Sequence, residues 1–337
     1  MERTVLRPLV LITPEGLIGD RGPWVEKLES AGFDVAYPED PTFTRGHAGE
    51  DETVKVLGGA CAVLAGGEHL TGAVIGRLPD LRVIARVGVG YDRVDVPAAT
   101  DRRVAVTITP TSNHEAVAEQ AFALLFAVAK SVVENHNDVA AGRWPRNLTE
   151  PVRGKTFGVF GLGRIGRSAA LRGLGMRMRV IACETYPDQE FAERHGIELV
   201  DFNTLLAQSD YLSIHCPLMP ETEGLFNQEV FAKMKPGSVL INTARGPIVR
   251  EADLARAIQN GPLRGAGLDV FEQEPTSPDN PLFGLPNVVL APHLGGLDWL
   301  SQQDMAIESA DSIIKLRDGV WPEGAVVNDE LRESWNW

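Results

Sequence analysis

Residues 156–166 of this 337-residue chain read TFGVFGLGRIG, and this stretch decides the fold. Its first five residues are predicted to form a buried strand. The pattern Gly161-x-Gly163-x-x-Gly166 follows at once and opens a helix that is predicted to extend through Arg172. A strand, a glycine-rich turn and a helix in this order are typical of the first βα unit of a dinucleotide-binding sheet. The stretch therefore predicts a parallel α/β sheet with a phosphate-binding turn at one edge.

Each glycine of this turn has a separate physical task. Gly161 permits the tight turn, Gly163 lets the backbone approach a pyrophosphate, and Gly166 allows the helix to pack closely on the strand. The pyrophosphate would rest on the helix N-terminus at Arg164 and Ile165, where unpaired N–H groups favour negative charge. Three glycines at this spacing also occur in ordinary turns, so the motif needs support from its surroundings.

That support comes from Glu184, which ends the next predicted strand about 20 residues beyond the loop. A carboxylate at this place can hold the ribose 2′-OH of a dinucleotide, whereas the alternative is a solvated residue at a strand end. Residues 185–188 read TYPD and contain no Arg or Lys that could bind a 2′-phosphate. We therefore expect NAD (NADH) as the cofactor, with NADP less favoured.

Short apolar runs alternate with helical stretches along the chain. This predicts two Rossmann-like, doubly wound parallel-sheet domains of the α/β class with a cleft between them. We expect residues 1–112 with 303–337 to form a flavodoxin-like substrate domain, and residues 113–302 to form the NAD-binding Rossmann domain. A long apolar helix over residues 114–137 would connect the domains, and a closing helix over residues 301–316 would return to the first. The predicted strands cover residues 9–12, 35–37, 62–64, 83–86, 104–107, 157–160, 180–183, 211–215, 239–242, 267–270 and 288–291.

Composition and charge disfavour several classes of protein. Hydrophobic residues make up 44% and charged residues 23%, which is typical of globular domains. The net charge of −14 opposes the basic surface of a nucleic-acid binder. The 3 cysteines are far apart and lack metal-ligand spacing, so we expect neither a disulfide framework nor a metal site. We find no secretion signal and no run of about 18 apolar residues, and therefore expect a cytoplasmic protein without membrane partners.

Three further segments follow strands whose carboxyl ends should meet at one edge of the second sheet. They read INTARG (residues 241–246), LDVFEQEP (268–275) and APHLGG (291–296). An arginine (Arg245), a carboxylate (Glu272 or Glu274) and a histidine (His293) would converge there. Such a set suits the reduction of a 2-oxo acid, because a cation binds the substrate carboxylate, an acid protonates the developing alkoxide, and a partner tunes that acid. Taken singly, a surface ion pair and a structural histidine are the more common explanations.

With these motifs the chain is identified as a member of the D-isomer-specific 2-hydroxyacid dehydrogenase family, which includes glyoxylate/hydroxypyruvate reductases and phosphoglycerate dehydrogenases. The resemblance covers nearly the whole chain. It includes the glycine loop, the three segments just quoted, RVGVGYD (86–92), VAE (117–119) and HCPL (215–218) with Thr222. It implies that Arg245 binds the substrate carboxylate, with the backbone N–H groups of Val89 and Gly90 as a second clamp. His293 would be the general acid in reduction and the base in oxidation, and Glu274 would hydrogen-bond to it and stabilise the imidazolium.

The same resemblance implies a cofactor pocket and an assembly. Asp269 would bind the nicotinamide amide. The other lining residues would be His215, Cys216, Pro217, Thr222, Thr243, Ala244 and Gly295. A homodimer is expected, and Trp144 lies where relatives build a dimer arm, although an ordinary core aromatic is an equal alternative.

The predicted function is NAD-dependent hydride transfer to or from a small, non-phosphorylated 2-oxo/2-hydroxy acid such as glyoxylate or hydroxypyruvate. Phosphoglycerate dehydrogenase is an alternative. It is disfavoured because AGGE at residues 65–68 stands where such enzymes have an Arg-Ser pair for the phosphate, and because only about 20 residues follow the closing helix, too few for a regulatory domain.

Functions from different classes are less favoured. A non-catalytic, NAD-sensing protein similar to corepressors would not need Arg245, Glu274 and His293, which are all present. Formate-oxidising relatives replace the carboxylate partner of the histidine with glutamine, and phosphite oxidation needs a basic pocket that the sequence does not reveal. Residues 297–300 read LDWL, and we expect Trp299 and its apolar neighbours to narrow the substrate pocket.

Overall fold

The computed structural model describes residues 7–337. The chain forms two compact units, one of which contains the residues up to Asn113 together with Gly296–Trp337, and the other His114–Gly295. The predicted first domain begins at residue 1, and its first six residues lie outside the described part of the chain. In the described residues each unit contains one sheet, and all neighbouring strands of both sheets are parallel. The prediction of two doubly wound α/β sheets is therefore confirmed.

The first unit has a five-stranded sheet with helices on both faces. Its strands are β1 (Leu9–Ile12), β2 (Asp34–Ala36), β3 (Ala60–Ala65), β4 (Val83–Arg86) and β5 (Ala105–Thr107), in the order β2-β1-β3-β4-β5. Its helices are α1 (Pro23–Ser30), α2 (Glu50–Leu57), α3 (Gly72–Gly76), α4 (Val96–Asp101) and the last helix of the chain, α12 (Trp299–Arg317). This strand order is that of flavodoxin-like sheets.

Strand β3 shows why these short apolar runs form a central sheet. All six of its residues are buried. Ala62 and Leu64 belong to the same apolar cluster as Trp24 of α1. Val63 points the other way and belongs to the cluster that includes Val74 of α3. Because both faces of the sheet are covered by helices, its strands are continuously apolar rather than alternating.

The C-terminal part of the chain completes the first unit. Helix α12 packs on α1 and β4. Beyond it, the tail runs along β5, where Val327 donates a backbone hydrogen bond to Val106 O over 2.8 Å. The buried Asn328 side chain accepts from Val106 N–H at 2.9 Å and donates to Val104 O at 2.9 Å. The tail therefore satisfies polar groups that an open sheet edge would leave unpaired.

The second unit has a seven-stranded sheet. Its strands are β6 (Thr156–Phe160), β7 (Arg179–Cys183), β8 (Glu198–Leu199), β9 (Tyr211–Ile214), β10 (Val239–Asn242), β11 (Gly265–Leu268) and β12 (Val288–Leu290), in the order β12-β11-β10-β9-β6-β7-β8. Its helices are α5 (His114–Ala129), α6 (Val132–Ala140), α7 (Arg164–Gly175), α8 (Gln189–His195), α9 (Phe202–Gln208), α10 (Gln228–Phe231) and α11 (Glu251–Asn260). Short 3-10 turns in the two units occupy Glu15–Leu17, Phe43–Arg45, Gly246–Ile248 and Asp329–Leu331. The strand order reverses between β6 and β9, and ligands of open α/β sheets bind at such a switch point.

The prediction of one continuous helix over residues 114–137 is wrong. Helix α5 ends at Ala129, and Ser131 takes a left-handed conformation with φ of +46° before α6 begins. The apolar surface of α5 is buried, whereas no residue of α6 is. Within residues 7–337 no single helix meets the length and hydropathy expected of a membrane span, although α5 and α6, bent by 58°, do so as a pair.

We expect Asn328→Ala to lower the free energy of unfolding by about 1–3 kcal/mol, because the buried N–H of Val106 and C=O of Val104 would lose their partner. Urea denaturation followed by circular dichroism measures the change. Arg332→Ala, which removes a surface ion pair with Glu323, is the control and should cost no more than about 0.5 kcal/mol. Equal effects of the two substitutions would show that Asn328 does not anchor the tail.

Candidate active site

The glycine loop joins β6 to α7. Gly161 has φ of +97°, and a Cβ atom there would lie 2.7 Å from the backbone nitrogen of Cys216. A Cβ on Gly166 would lie 1.9 Å from Gly161 O, so the helix packs directly against the turn. Gly163 caps α7, and a Cβ on it would meet nothing within 4 Å. The N-terminus of the helix is therefore open on the side where a pyrophosphate would bind.

Glu184 lies beside this loop, because β7 is the parallel neighbour of β6. Its Oε2 accepts a hydrogen bond from Leu162 N–H at 2.7 Å, and its Oε1 accepts from Thr185 N–H at 2.7 Å. The carboxylate is thus held against the glycine turn rather than free in solvent. The sequence predicts that a carboxylate at this place binds the ribose of a dinucleotide.

His215 and Cys216, which follow β9, pack against the glycine loop and form an uncharged surface there. His215 donates its backbone N–H to Phe160 O at 2.7 Å, and its Nε2 lies 2.9 Å from Ser213 Oγ. Desolvation lowers the pKa of His215 to about 4, and burial raises the pKa of the Cys216 thiol to about 12. Both side chains are therefore uncharged near neutral pH, which leaves acid–base chemistry to other residues.

Pro217 and Thr222 lie in the loop that continues from this surface. The Thr222 hydroxyl donates to Pro217 O at 2.8 Å and accepts from Met219 N–H at 2.8 Å. In this structure Thr222 therefore stabilises the turn of its own loop.

The end of β10 presents Thr243, Ala244 and Arg245. Asn242 fixes this turn, because its Nδ2 donates to Arg245 O at 2.9 Å and its Oδ1 accepts from Ala244 N–H at 3.0 Å. The Thr243 hydroxyl is buried and, among the described residues, lacks a hydrogen-bond partner. A buried hydroxyl without a partner is costly unless a ligand satisfies it. Together with the open N-terminus of α7, it fits the binding of a dinucleotide.

Asp269, directly after β11, organises the histidine loop. It is 1% exposed, and its oxygens accept hydrogen bonds from Leu294 N–H at 2.8 Å and Gly295 N–H at 2.7 Å. Gln120 also donates to it at 3.3 Å. Burial raises its pKa above the ordinary value. The sequence predicts Asp269 as a ligand of the cofactor, but it does not reveal that Asp269 also holds the backbone of the histidine loop.

His293 and Glu274 form a pair within the second unit. His293 Nδ1 lies 2.7 Å from Glu274 Oε2, and Glu274 Oε1 accepts from Phe271 N–H at 3.0 Å. Because an ionised carboxylate can only accept, Nδ1–H donates and Nε2 is left for a substrate. The His293 side chain is 46% exposed, and its backbone has φ of +57°, which is uncommon for a non-glycine residue. Its N–H donates to Asp269 O at 2.8 Å, which holds this backbone in place.

Glu272, the other candidate partner of the histidine, has different contacts. It accepts from Glu251 N–H at 3.1 Å and from Arg250 Nη1 at 3.3 Å. The contact with His293 is therefore made by Glu274, as the family resemblance implies.

Val89 and Gly90 lie in the first unit, in the loop after β4. Gly88, just before them, has φ of +145° and donates its N–H to Thr109 Oγ1 at 3.0 Å, while Arg86 Nε donates to Gly90 O at 3.0 Å. The loop is thus fixed at both ends.

Glu68, the acid of the AGGE segment at residues 65–68, is buried. It is 1% exposed, and its carboxylate accepts from Thr13 Oγ1 at 2.6 Å and from Gly66 N–H at 3.0 Å. The same loop receives a cation, because Arg93 Nη1 donates to Gly67 O. Glu68 supports this loop from within, and it does not add an exposed negative charge.

Two tryptophans singled out in the sequence are largely exposed. Trp144 is 78% exposed and follows α6, so it is not a core aromatic of this chain. Trp299 begins α12 in the first unit and is exposed in the same way.

Comparisons with known proteins agree with these observations. A family model described as D-isomer specific 2-hydroxyacid dehydrogenase, NAD binding domain, matches residues 122–295. The D-3-phosphoglycerate dehydrogenase of Mycobacterium leprae is 43% identical over 267 residues, which cover 77% of this chain and 50% of the relative. The glyoxylate reductase of Korarchaeum cryptofilum is 40% identical over 259 residues, which cover 75% and 78% of the two chains. This chain thus spans about half the length of the phosphoglycerate dehydrogenases that it matches.

A solved structure shows the same fold. The TT0316 protein from Thermus thermophilus has a TM-score of 0.83 and 33% sequence identity, and the match covers 95% of this chain and 99% of that chain. Both the fold and the NAD-binding domain expected from the sequence are therefore confirmed.

The glycine loop generates a paired prediction. Gly161→Ala should lower the melting temperature and abolish NADH binding, because φ of +97° and the contact with Cys216 exclude a side chain. Gly163→Ala should leave the melting temperature near the wild-type value yet weaken NADH binding by roughly tenfold or more, because its Cβ would occupy the path of the pyrophosphate. Thermal unfolding and NADH fluorescence titration measure both effects. Wild-type NADH affinity in Gly163→Ala would contradict the assignment of the phosphate site.

Proposed function

This chain belongs to the D-isomer-specific 2-hydroxyacid dehydrogenase family, and we propose that it interconverts a small 2-oxo acid and the D-2-hydroxy acid with NAD(H) as hydride carrier. The observation that carries the proposal is the pair His293–Glu274, joined at 2.7 Å in the unit whose sheet also presents Arg245. A histidine held by a carboxylate and accompanied by an arginine can protonate a carbonyl oxygen and bind an acid group.

In reduction, Arg245 binds the substrate carboxylate and orients the carbonyl. When bound, NADH supplies the hydride to the carbonyl carbon. His293 Nε2–H donates the proton to the carbonyl oxygen and is left neutral, while the hydrogen bond between Nδ1 and Glu274 orients the ring. Oxidation runs in reverse, with His293 as the base.

NAD is proposed over NADP because of charge near the expected ribose site. Glu184 would repel a 2′-phosphate. The nearby cation Arg167 is engaged, since its Nη1 lies 3.1 Å from Asp188 Oδ2 and its guanidinium stacks on Phe191. Thr243, with its buried hydroxyl, and the open helix N-terminus at Gly163 supply neutral donors for the rest of the dinucleotide.

The proposed substrates are non-phosphorylated acids such as glyoxylate or hydroxypyruvate. Residues 65–68 read AGGE and contain no cation of their own. The second candidate substrate is a phosphorylated one, as the name of the Mycobacterium leprae relative indicates. Arg93, which reaches the carbonyl of Gly67, favours this alternative because it places positive charge at the same loop.

A substrate panel tests the function. Purified protein is mixed with NADH or NADPH and with glyoxylate, hydroxypyruvate, pyruvate or 3-phosphohydroxypyruvate, and the loss of cofactor absorbance is followed. We expect NADH-dependent turnover, with kcat/KM at least roughly tenfold higher for a non-phosphorylated acid. Preference for the phosphorylated acid would support the alternative. Cofactor binding without turnover of any acid would instead support a non-catalytic, NAD-sensing protein.

Substitutions separate the roles of the arginine and the histidine. Arg245→Lys should raise KM for the 2-oxo acid, because an ammonium group cannot make the two parallel hydrogen bonds of a guanidinium. His293→Gln should lower kcat by about 10²–10⁴-fold while leaving NADH affinity unchanged. Arg194→Lys, in an exposed pair with Glu190, is the control and should alter neither constant. A wild-type kcat in His293→Gln would exclude it as the general acid.

We also propose that the chain forms a homodimer through α6 and the segment after it. No residue of α6 is buried, and the region exposes several large apolar side chains to solvent. They are Val132, Val133, Val139, Trp144 and Leu148. A second copy that covers this surface would bury apolar area that a lone chain leaves in water.

Trp144→Glu should shift the protein from dimer to monomer, because it places a charge in the proposed apolar interface. Size-exclusion chromatography with light scattering measures the mass directly. Val320→Glu, at an exposed apolar residue beyond α12, is the control and should leave the dimer intact. A wild-type protein with the mass of a single chain at micromolar concentration would refute the proposed dimer.

A further inference from the structure

We propose that Glu251, the first residue of α11, is a positioning residue that fixes the orientation of Glu274 and, through it, of His293. The inference deepens the proposed function and rests on it for every readout that uses turnover. Glu251 is 7% exposed, and the hydrogen bonds that its carboxylate accepts come from Glu272 and Asn280 rather than from the histidine. Its influence would pass through the turn that carries both Glu272 and Glu274.

Glu251 and Glu272 clamp two loops together by exchanging hydrogen bonds. Glu251 Oε1 accepts from Glu272 N–H at 2.7 Å, and Glu272 Oε2 accepts from Glu251 N–H at 3.1 Å. Asn280 Nδ2 donates to the second oxygen of Glu251 at 2.6 Å. The clamp joins the start of α11, which follows the Arg245 loop, to the loop after β11.

The clamp leads directly to the histidine. Phe271 precedes Glu272, and its N–H donates to Glu274 Oε1 at 3.0 Å, while Glu274 Oε2 faces His293 at 2.7 Å. A Cβ on Gly246 would lie 1.8 Å from the carbonyl of Phe271, so the two loops also touch through their backbones. Two contacts therefore support the turn that directs Phe271 N–H towards Glu274: the hydrogen bond from Glu272 N–H to Glu251, and the packing of Gly246 on Phe271. Removing the Glu251 carboxylate would remove the first of them.

The charges around the clamp suit an orienting role more than a purely stabilising one. Glu251 faces two other carboxylates, Glu272 and Glu274, and burial is the main reason that its pKa is raised. Arg250 partly offsets the charge, with Nη1 at 3.3 Å from Glu272. Near His293 the acidic groups are Glu274 and Asp269. Glu272 and Glu274 lie on one turn, and Glu251 faces them from the start of α11. The three carboxylates repel each other, so the buried acid costs stability that a neutral side chain would not.

The arginine of the site has its own anchor. Arg245 O and the neighbouring Ala244 N–H are both held by the Asn242 side chain, at 2.9 and 3.0 Å. Loss of Glu251 should therefore disturb the histidine more than the arginine. This predicts a fall in kcat with little change in KM for the 2-oxo acid, a split that general loosening of the unit would not produce.

The test compares Glu251→Ala and Glu251→Gln with Asp210→Asn. Alanine removes the acceptor of Glu272 N–H. Glutamine keeps one acceptor oxygen, but its NH₂ group would face the NH₂ group of Asn280. The Asn280 amide cannot flip to offer its oxygen instead, because Oδ1 already accepts from Leu282 N–H at 3.0 Å. Asp210 is a matched structural carboxylate at the amino ends of the strands, where it accepts from Thr156 N–H and pairs with Lys235 at 2.8 Å each.

We expect Glu251→Ala to lower kcat by about 10–100-fold, because a misaligned Glu274 no longer holds the His293 ring in the orientation that proton transfer from Nε2 requires. Glu251→Gln should give a smaller loss in the same direction, about threefold. KM and NADH affinity should stay within about twofold of wild type in both. Asp210→Asn should lower the melting temperature and leave kcat within about twofold of wild type.

A second readout does not depend on turnover. In protein labelled with ¹⁵N-histidine, the His293 Nδ1–H held by Glu274 should give a slowly exchanging signal that is present in wild type and Asp210→Asn and lost in Glu251→Ala. If wild type reduces no 2-oxo acid, the proposed function fails, and this signal alone still decides the clamp. Wild-type kcat and a wild-type Nδ1–H signal in Glu251→Ala would overturn the proposal, as would a parallel loss of kcat and NADH affinity. If the alanine protein does not fold, the glutamine variant decides by the same measurements.

Discussion

The candidate site of the second unit depends on one geometric constraint, which is that parallel strands of a doubly wound sheet all end at the same edge. Strands β6, β7, β9, β10 and β11 run side by side in continuous register. The strand register therefore brings segments that are far apart in the chain to one edge of the sheet. The glycine loop, Glu184, Arg245 and Asp269 all follow such strand ends.

The buried side chain of Asp269 then fixes the histidine loop at this edge of the sheet. Asp269 is taken out of water, which is costly for a carboxylate, and burial raises its pKa. The cost is offset by hydrogen bonds from the backbone of Leu294 and Gly295. Because these bonds act on the loop directly after His293, Asp269 helps to hold the histidine backbone in its uncommon conformation. The charge is thus used to shape a loop, in addition to any contact with a ligand.

Ionisable groups in this unit fall into two environments. His215 and Cys216 are desolvated and stay neutral, so they line the site without contributing charge or acid–base chemistry. His293 is half exposed, and its Nδ1 lies 2.7 Å from Glu274 Oε2. The proposed clamp of Glu251 supports the turn that carries Glu274 and thus lies behind this pair. Under the proposed function, the neutral residues would line the dinucleotide site and His293 would be the proton donor.

The sequence by itself determined the two sheets, the glycine turn and the family, because periodic apolar runs and short motifs are local properties of the chain. It could not choose between Glu272 and Glu274 from spacing alone, since the two differ only in which neighbours they meet after folding. It also did not reveal that Glu68 points inward or that the helix after His114 breaks at Ser131. Such outcomes depend on burial and on hydrogen-bond partners from distant segments, and only the tertiary structure decides them.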